Sequence, residues 1–259
     1  MSLGYDDFEQ APLEVNEWTP KAGLVWEIAD WLYLRAAAIK TVKRALIVDQ
    51  TIEPTQIAGF NQFYDDLNGT VAKLYGVALD SRITEKLYGG LEVTHRILDH
   101  PSGEMFEDRH ETTYRGYLYR TIGLRWALIL EALFDRFDSE PGNNPNVPLR
   151  LDTIYVPISL RYFDPSGMFV AGRASFVNQD VEIGSQSSLP DGSDNEGLLD
   201  AAIGFRLPNR LGILSIEVNN ILDTKVKFQD ENFRSSRESA RNTRFFPDRT
   251  ILARATLSF

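Results

Sequence analysis

Three histidines, His95, His100 and His110, fall close together in the chain, with Asp99, Glu104, Glu107 and Asp108 between them. Imidazole and carboxylate are a donor set for a divalent transition metal. No two of the histidines stand at a diagnostic ligand spacing, so a solvated loop is the better account of them. Residues 178–200 carry Asp180, Glu182, Asp191, Asp194, Glu196 and Asp200 with no Lys or Arg. Such a run could gather cations or bridge lipopolysaccharide through calcium, or simply stay hydrated. The segment RSSRESARNTR places Arg234, Arg237, Arg241 and Arg244 at helical spacing. They could form one basic face for an anionic ligand or a lipid phosphate, or pair with the acidic loops. Catalytic patterns are missing: there is no Gly-x-Ser-x-Gly elbow, no His-Glu-x-x-His and no phosphate-binding loop. The chain is expected to be no enzyme and to need no cofactor.

The elements that must position these side chains are strands. The sequence has 15 Phe, 10 Tyr and 4 Trp, which excludes a disordered chain. No apolar run approaches the ~18 residues of a membrane helix, so any membrane crossing has to use strands. A net charge of -10 argues against nucleic acid as a partner. Cysteine is absent, which removes disulfides and thiolate metal sites.

Alternation of apolar and polar residues recurs from the C-terminus backwards. In ILARATLSF, Ile251, Ala253, Ala255, Leu257 and Phe259 fall on one side, Arg254, Thr256 and Ser258 on the other. LGILSIEVNNILD, LLDAAIGFRL, TIYVPISLRYF and RWALILEALFD repeat the pattern, and six further segments follow it between Lys21 and Val177. About eleven strands and no long helix result. Tight turns (IAD, SRITEK, TIGLR, FDPSG, LPNR) alternate with long polar links at 43–70, 98–112, 136–150, 178–197 and 224–249. Short reversals at one end and long ones at the other are the pattern of an outer-membrane barrel.

Aromatics gather near the short-turn end: Trp31, Tyr88, Trp126, Phe163, Phe169, Phe205 and Phe259. They are expected to form a girdle at the membrane interface. An Arg or Lys at the bilayer midplane of the lipid face costs about 2–4 kcal/mol. Arg161, Arg173, Arg206 and Arg254 are therefore expected in the lumen with Glu27, Glu92, Glu131 and Glu217. Arg115 and Arg120 fall on opposite faces of one strand, which places one of them at headgroup level.

Several stretches together resemble the C-terminal half of a TonB-dependent receptor barrel. WTPKAGLVWEIADWLYLRAAAIKTVKRA resembles a hairpin of that family, and TIEPTQIAGF, with Glu53 and Pro54, resembles its next loop. VNNILDTKVKFQD resembles the penultimate-strand pattern through Asn220, Ile221, Leu222 and Asp223, with Leu222 in place of an aromatic. PDRTILARATLSF resembles the final strand, and its end at Leu257 and Phe259 is similar to the signal read by the outer-membrane assembly machinery. The departures are the lack of a plug, of a TonB box and of a leader, and an odd strand count.

The expectation is an all-β, antiparallel up-and-down transmembrane barrel segment over 18–259, with 1–17 as a loop or the remnant of a missed strand. The resemblance implies ligand uptake across a bacterial outer membrane. Its partners would be lipid, lipopolysaccharide, an unknown small molecule and, through a plug, the TonB complex. Two alternatives are a barrel that anchors or exports a fused periplasmic helical-repeat domain, and a soluble all-β binding protein.

Overall fold

The computed structural model describes residues 1–10, 13–43, 56–62, 66–102, 105–141, 148–184, 191–226 and 247–257. Twelve strands form one sheet in chain order. They are β1 (Ser2–Gln10), β2 (Leu13–Ala29), β3 (Leu32–Val42), β6 (Val71–Thr84), β7 (Leu87–Ser102) and β8 (Met105–Ile122). The second half is β9 (Trp126–Ser139), β10 (Pro148–Phe163), β11 (Met168–Ile183), β12 (Gly192–Leu207), β13 (Gly212–Asn219) and β14 (Thr250–Leu257). Two short strands, β4 (Gln56–Ile57) and β5 (Phe60–Asn61), make a separate hairpin. Every pairing is antiparallel. The only helical element among the described residues is a 3-10 turn at Pro208–Arg210. The sheet is an up-and-down meander that does not close on itself, with β1 and β14 at its edges.

The count corrects the expectation of eleven strands. Of the two options for residues 1–17 the missed strand is the one seen: Ser2–Gln10 is an edge strand paired with β2, which begins at Leu13. The long links are also revised. Residues 98–102, 105–112, 136–139, 148–150, 178–183 and 192–197 belong to strands of 14 to 18 residues. β7 and β8 are joined through 103–104 alone. At the other end the connections stay tight: 30–31, 85–86, 123–125, 164–167 and 208–211. The two long excursions, 43–70 and 220–249, share the end opposite these turns.

Register separates two faces. On one face of β9 lie Trp126, Leu128, Leu130, Ala132 and Phe134, followed by Arg136 and Asp138. β10 presents Tyr162, Leu160, Ile158, Val156 and Ile154 on that face, then Asp152 and Arg150. β11 presents Met168, Val170, Gly172, Ala174 and Phe176, then Asn178 and Asp180. β12 presents Phe205, Ile203, Ala201, Leu199 and Gly197, then Asn195. In each of these strands the apolar band spans nine residues and stops abruptly at a polar or charged one. A strand needs about 9–11 residues to cross a bilayer at the usual tilt.

These apolar side chains are not packed into a core. Leu91 is 67% exposed, Ile216 55% and Ile203 52%. The buried apolar clusters lie mainly on the opposite, inner face. Phe137, Leu151, Val181 and Ile183 form one, and Ala37, Ile39, Leu74 and Ala78 form another around Phe60.

The expected girdle is partly corrected. Trp126 and Phe205 are on the apolar face, and Trp126 packs on Tyr162 at 4.8 Å between ring centroids. Tyr88, Phe163 and Phe169 point by register to the inner face instead. Trp31 sits in the 30–31 turn, and Phe259 lies outside the described residues. Arg120 is on the apolar face, two residues from the end of β8 and exposed, whereas Arg115 is on the inner face.

Candidate functional site

The inner face carries the charged side chains that alternation set apart from the apolar ones. Arg35 of β3 is the hub: its guanidinium ion-pairs with Asp80 of β6 and, at 3.1 Å, with Glu92 of β7. Tyr117 of β8 donates to the same Asp80. One step along β8, Arg115 reaches Glu131 of β9 at 2.9 Å, and Tyr119 also donates to Glu131. Two guanidinium groups thus serve three carboxylates across five strands, and two phenols cap the acceptor surplus. Pairs of this half-buried kind fix geometry more than they add stability.

A second tier sits nearer the long-loop end. Arg96 of β7 is 7% exposed and bridges Glu111 of β8 to Asp66, at 2.7 Å, from the 43–70 excursion. Thr113 donates to Asp135 beside it. That excursion folds onto the inner face. Its β4–β5 hairpin lays Phe60, 2% exposed, against Ala37, Ile39, Leu74 and Ala78. The guanidinium of Arg35 donates to the Ala58 carbonyl oxygen at 3.1 Å and stands 5.2 Å from the Phe60 ring centroid. Lys21 donates to Gln62 at 3.1 Å, and Lys43 and the 69–70 backbone close the base.

The other excursion turns inward as well. Val226 packs with Val177 and Leu198 against Tyr155. Its base is tied by Asn220, whose amide nitrogen donates to the Thr224 and Pro247 carbonyl oxygens at 2.9 and 3.1 Å. Asn220 and Asp223 both have positive φ, 50° and 56°, a backbone that Asn and Asp tolerate better than most residues. The Asp223 carboxylate accepts the Arg249 amide at 3.0 Å and the Lys225 ammonium at 3.3 Å. The Arg249 amide, then Lys225, hold its pKa below the usual carboxylate range.

Of the residues expected in a lumen, Glu92, Glu131, Arg161, Arg173, Arg206, Glu217 and Arg254 share this inner face by register. Arg173 pairs with Asp200 at 2.6 Å and Arg254 with Glu217 at 3.6 Å. Arg206 lies over the Phe163 ring at 5.0 Å. Arg35, Asp80, Arg96 and Tyr117 were not singled out in the sequence. Arg35 and Asp80 sit at the inward parity of strands that alternation had found, so parity was the available signal.

The three histidines do not converge on one site. They lie in strands β7 and β8 rather than a loop. His95 and His110 share the outer face with rings stacked at 5.6 Å, and His95 contacts Thr112 at 2.9 Å. His100 is on the inner face beside Thr70. Among the described residues no three His, Asp or Glu side chains are grouped to hold a metal ion. Arg234, Arg237, Arg241 and Arg244 lie outside the described residues.

No protein family matches the sequence, and no curated protein matches it. In structure, the chain is similar to the ferric-catecholate import receptor Fiu of E. coli K12, seen in a closed crystal form. The TM-score is 0.55 at 14% identity, over 95% of this chain and 35% of that one. The likeness is one of fold, and the chain spans about a third of the receptor's length.

Proposed function

We propose that the chain is a wall segment of a TonB-dependent-receptor-type barrel in a bacterial outer membrane, serving ligand uptake along its charged inner face. The observation that carries this reading is the nine-residue apolar band on the outward face of β9 to β12, ended in each strand by a polar or charged residue. Exposed Leu, Ile and Val in such numbers suit hydrocarbon, not water. The barrel fold of a ferric-catecholate import receptor supports it further. Both long excursions fold toward the polar face, where a captured small molecule would meet Arg, Glu, Asp and Tyr side chains. The role is binding and passage, without a catalytic step.

Because the chain has no cysteine, single cysteines test the topology cleanly. Leu124 lies in the 123–125 turn and Glu140 follows the far end of β9. On intact cells a membrane-impermeant maleimide should label Glu140→Cys, and should label Leu124→Cys only after the outer membrane is broken. Equal labelling of both in intact cells, or recovery of the chain in the soluble fraction, would remove the membrane reading.

A further inference from the structure

We infer that the Gln56–Asn61 hairpin is a constriction built into the wall, which limits the size of solute passing along β2 to β7. The inference rests on the barrel reading above and adds an element that sets selectivity. Gly23, Ala37 and Gly76 are direct cross-strand partners on β2, β3 and β6, so three adjacent strands present almost no side chain at one level of the inner face. The hairpin fills that level. A Cβ on Gly23 would collide with Ile57, and one on Gly76 with the Phe60 ring. Platform and occupant are therefore shaped to each other.

Independent polar ties hold the hairpin there. Arg35, already fixed by Asp80 and Glu92, holds the Ala58 carbonyl oxygen, and Lys21 holds Gln62. Farther along the same excursion, Asp66 is bound to the buried Arg96. A second layer of β structure stands roughly 10 Å off the sheet it covers. The hairpin thus takes that depth from the bore and places its Ala58–Gly59 turn against the charged network.

The experiment reconstitutes the full chain into liposomes, follows membrane insertion by heat-modifiable gel mobility, and measures influx of a monosaccharide and a tetrasaccharide by osmotic swelling. Gly23→Cys with Ile57→Cys, the added Cβ being close to the Ile57 side chain, should form a disulfide on mild oxidation and leave both fluxes at the parental rate. Deletion of 56–61, and separately Gly76→Phe, which occupies the Phe60 seat, should raise tetrasaccharide influx several-fold and monosaccharide influx much less. Absence of the disulfide, or unchanged tetrasaccharide influx in an inserted deletion variant, would overturn the constriction. A chain that forms the disulfide but never inserts or admits either sugar would defeat the barrel reading, and the constriction with it.

Discussion

Ile158 and Ser159 are neighbours in β10 that face different surroundings. Ile158 is 44% exposed in the middle of the apolar band, and Ser159 is on the inner face beside Arg173. Ile158→Arg should cost about 2–4 kcal/mol in a bilayer and abolish assembly, while Ser159→Arg should assemble at near-parental levels. The yield of heat-modifiable protein in membranes reads the difference directly. Glu and Arg at inward positions follow the same rule of solvent, which is why parity alone sorted Arg161, Arg173, Arg206 and Arg254. His95 and His110 show the limit of that reasoning: they are close in sequence to His100, yet the two-residue period of a strand sends His100 to the opposite face.

Strands here are longer than a bilayer requires. Once β9 to β11 rise past the apolar band, the alternation inverts: the outward positions become polar at Arg136, Asp152 and Asp180, while Phe137, Leu151, Val181 and Ile183 are buried on the inner face. The polar stretches at 98–112, 136–150 and 178–197 read as loops for this reason, although strand pairing continues into both ends of each. Reversals at the other end depend on single residues. Gly212 has φ of 151°, and a Cβ there would strike the Thr256 carbonyl group. Gly212→Ala should destabilise the β13–β14 pairing by more than about 1 kcal/mol, visible as a lower midpoint in a urea-gradient gel. In the 164–167 turn the Asp164 carboxylate accepts the Ser166 amide at 2.9 Å and the Tyr162 hydroxyl at 3.0 Å. The Ser166 bonds, then Tyr162, depress its pKa below the usual carboxylate value. Its stabilising contribution is therefore complete above that usual value and lost as pH falls through the lower folded one. Asp164→Asn should lower the thermal midpoint at neutral pH and make no difference in strong acid.

At the scale of the whole sheet, stability has to be uneven. The middle strands are paired on both sides, whereas β14 pairs only with β13 and is exposed from Ile251 to Leu257. β1 is the opposite edge and pairs only with β2. Backbone N–H groups at such edges lack a sheet partner, which no lipid can supply. Amide exchange of the reconstituted chain should be slowest in β9 to β11 and fastest in β1 and β14. Protection of β14 equal to that of β10 would show that its edge is paired with another strand. The even number of strands permits antiparallel closure, with β1 and β14 running in opposite directions, an option that a count of eleven excluded.

The sequence by itself determined which side chains share a face, because a period of two needs only the positions of Arg, Glu, Leu and Ile along each strand. It also determined where the tight turns fall, through Gly, Pro or Asp in four of them and, at 85–86, through the charged pair Glu85–Lys86 between two alternating runs. What the tertiary structure decided is everything that depends on partners far apart in the chain. Examples are the Arg35–Asp80–Glu92 junction, the Asp66–Arg96 tie and the seating of Phe60 over Gly76. The fate of a long excursion follows from whether the wall beneath it offers small residues, as Gly23, Ala37 and Gly76 do, and cations placed to bond it, as Lys21, Arg35 and Arg96 are. Local pattern carries no record of that wall until the strands have been set side by side.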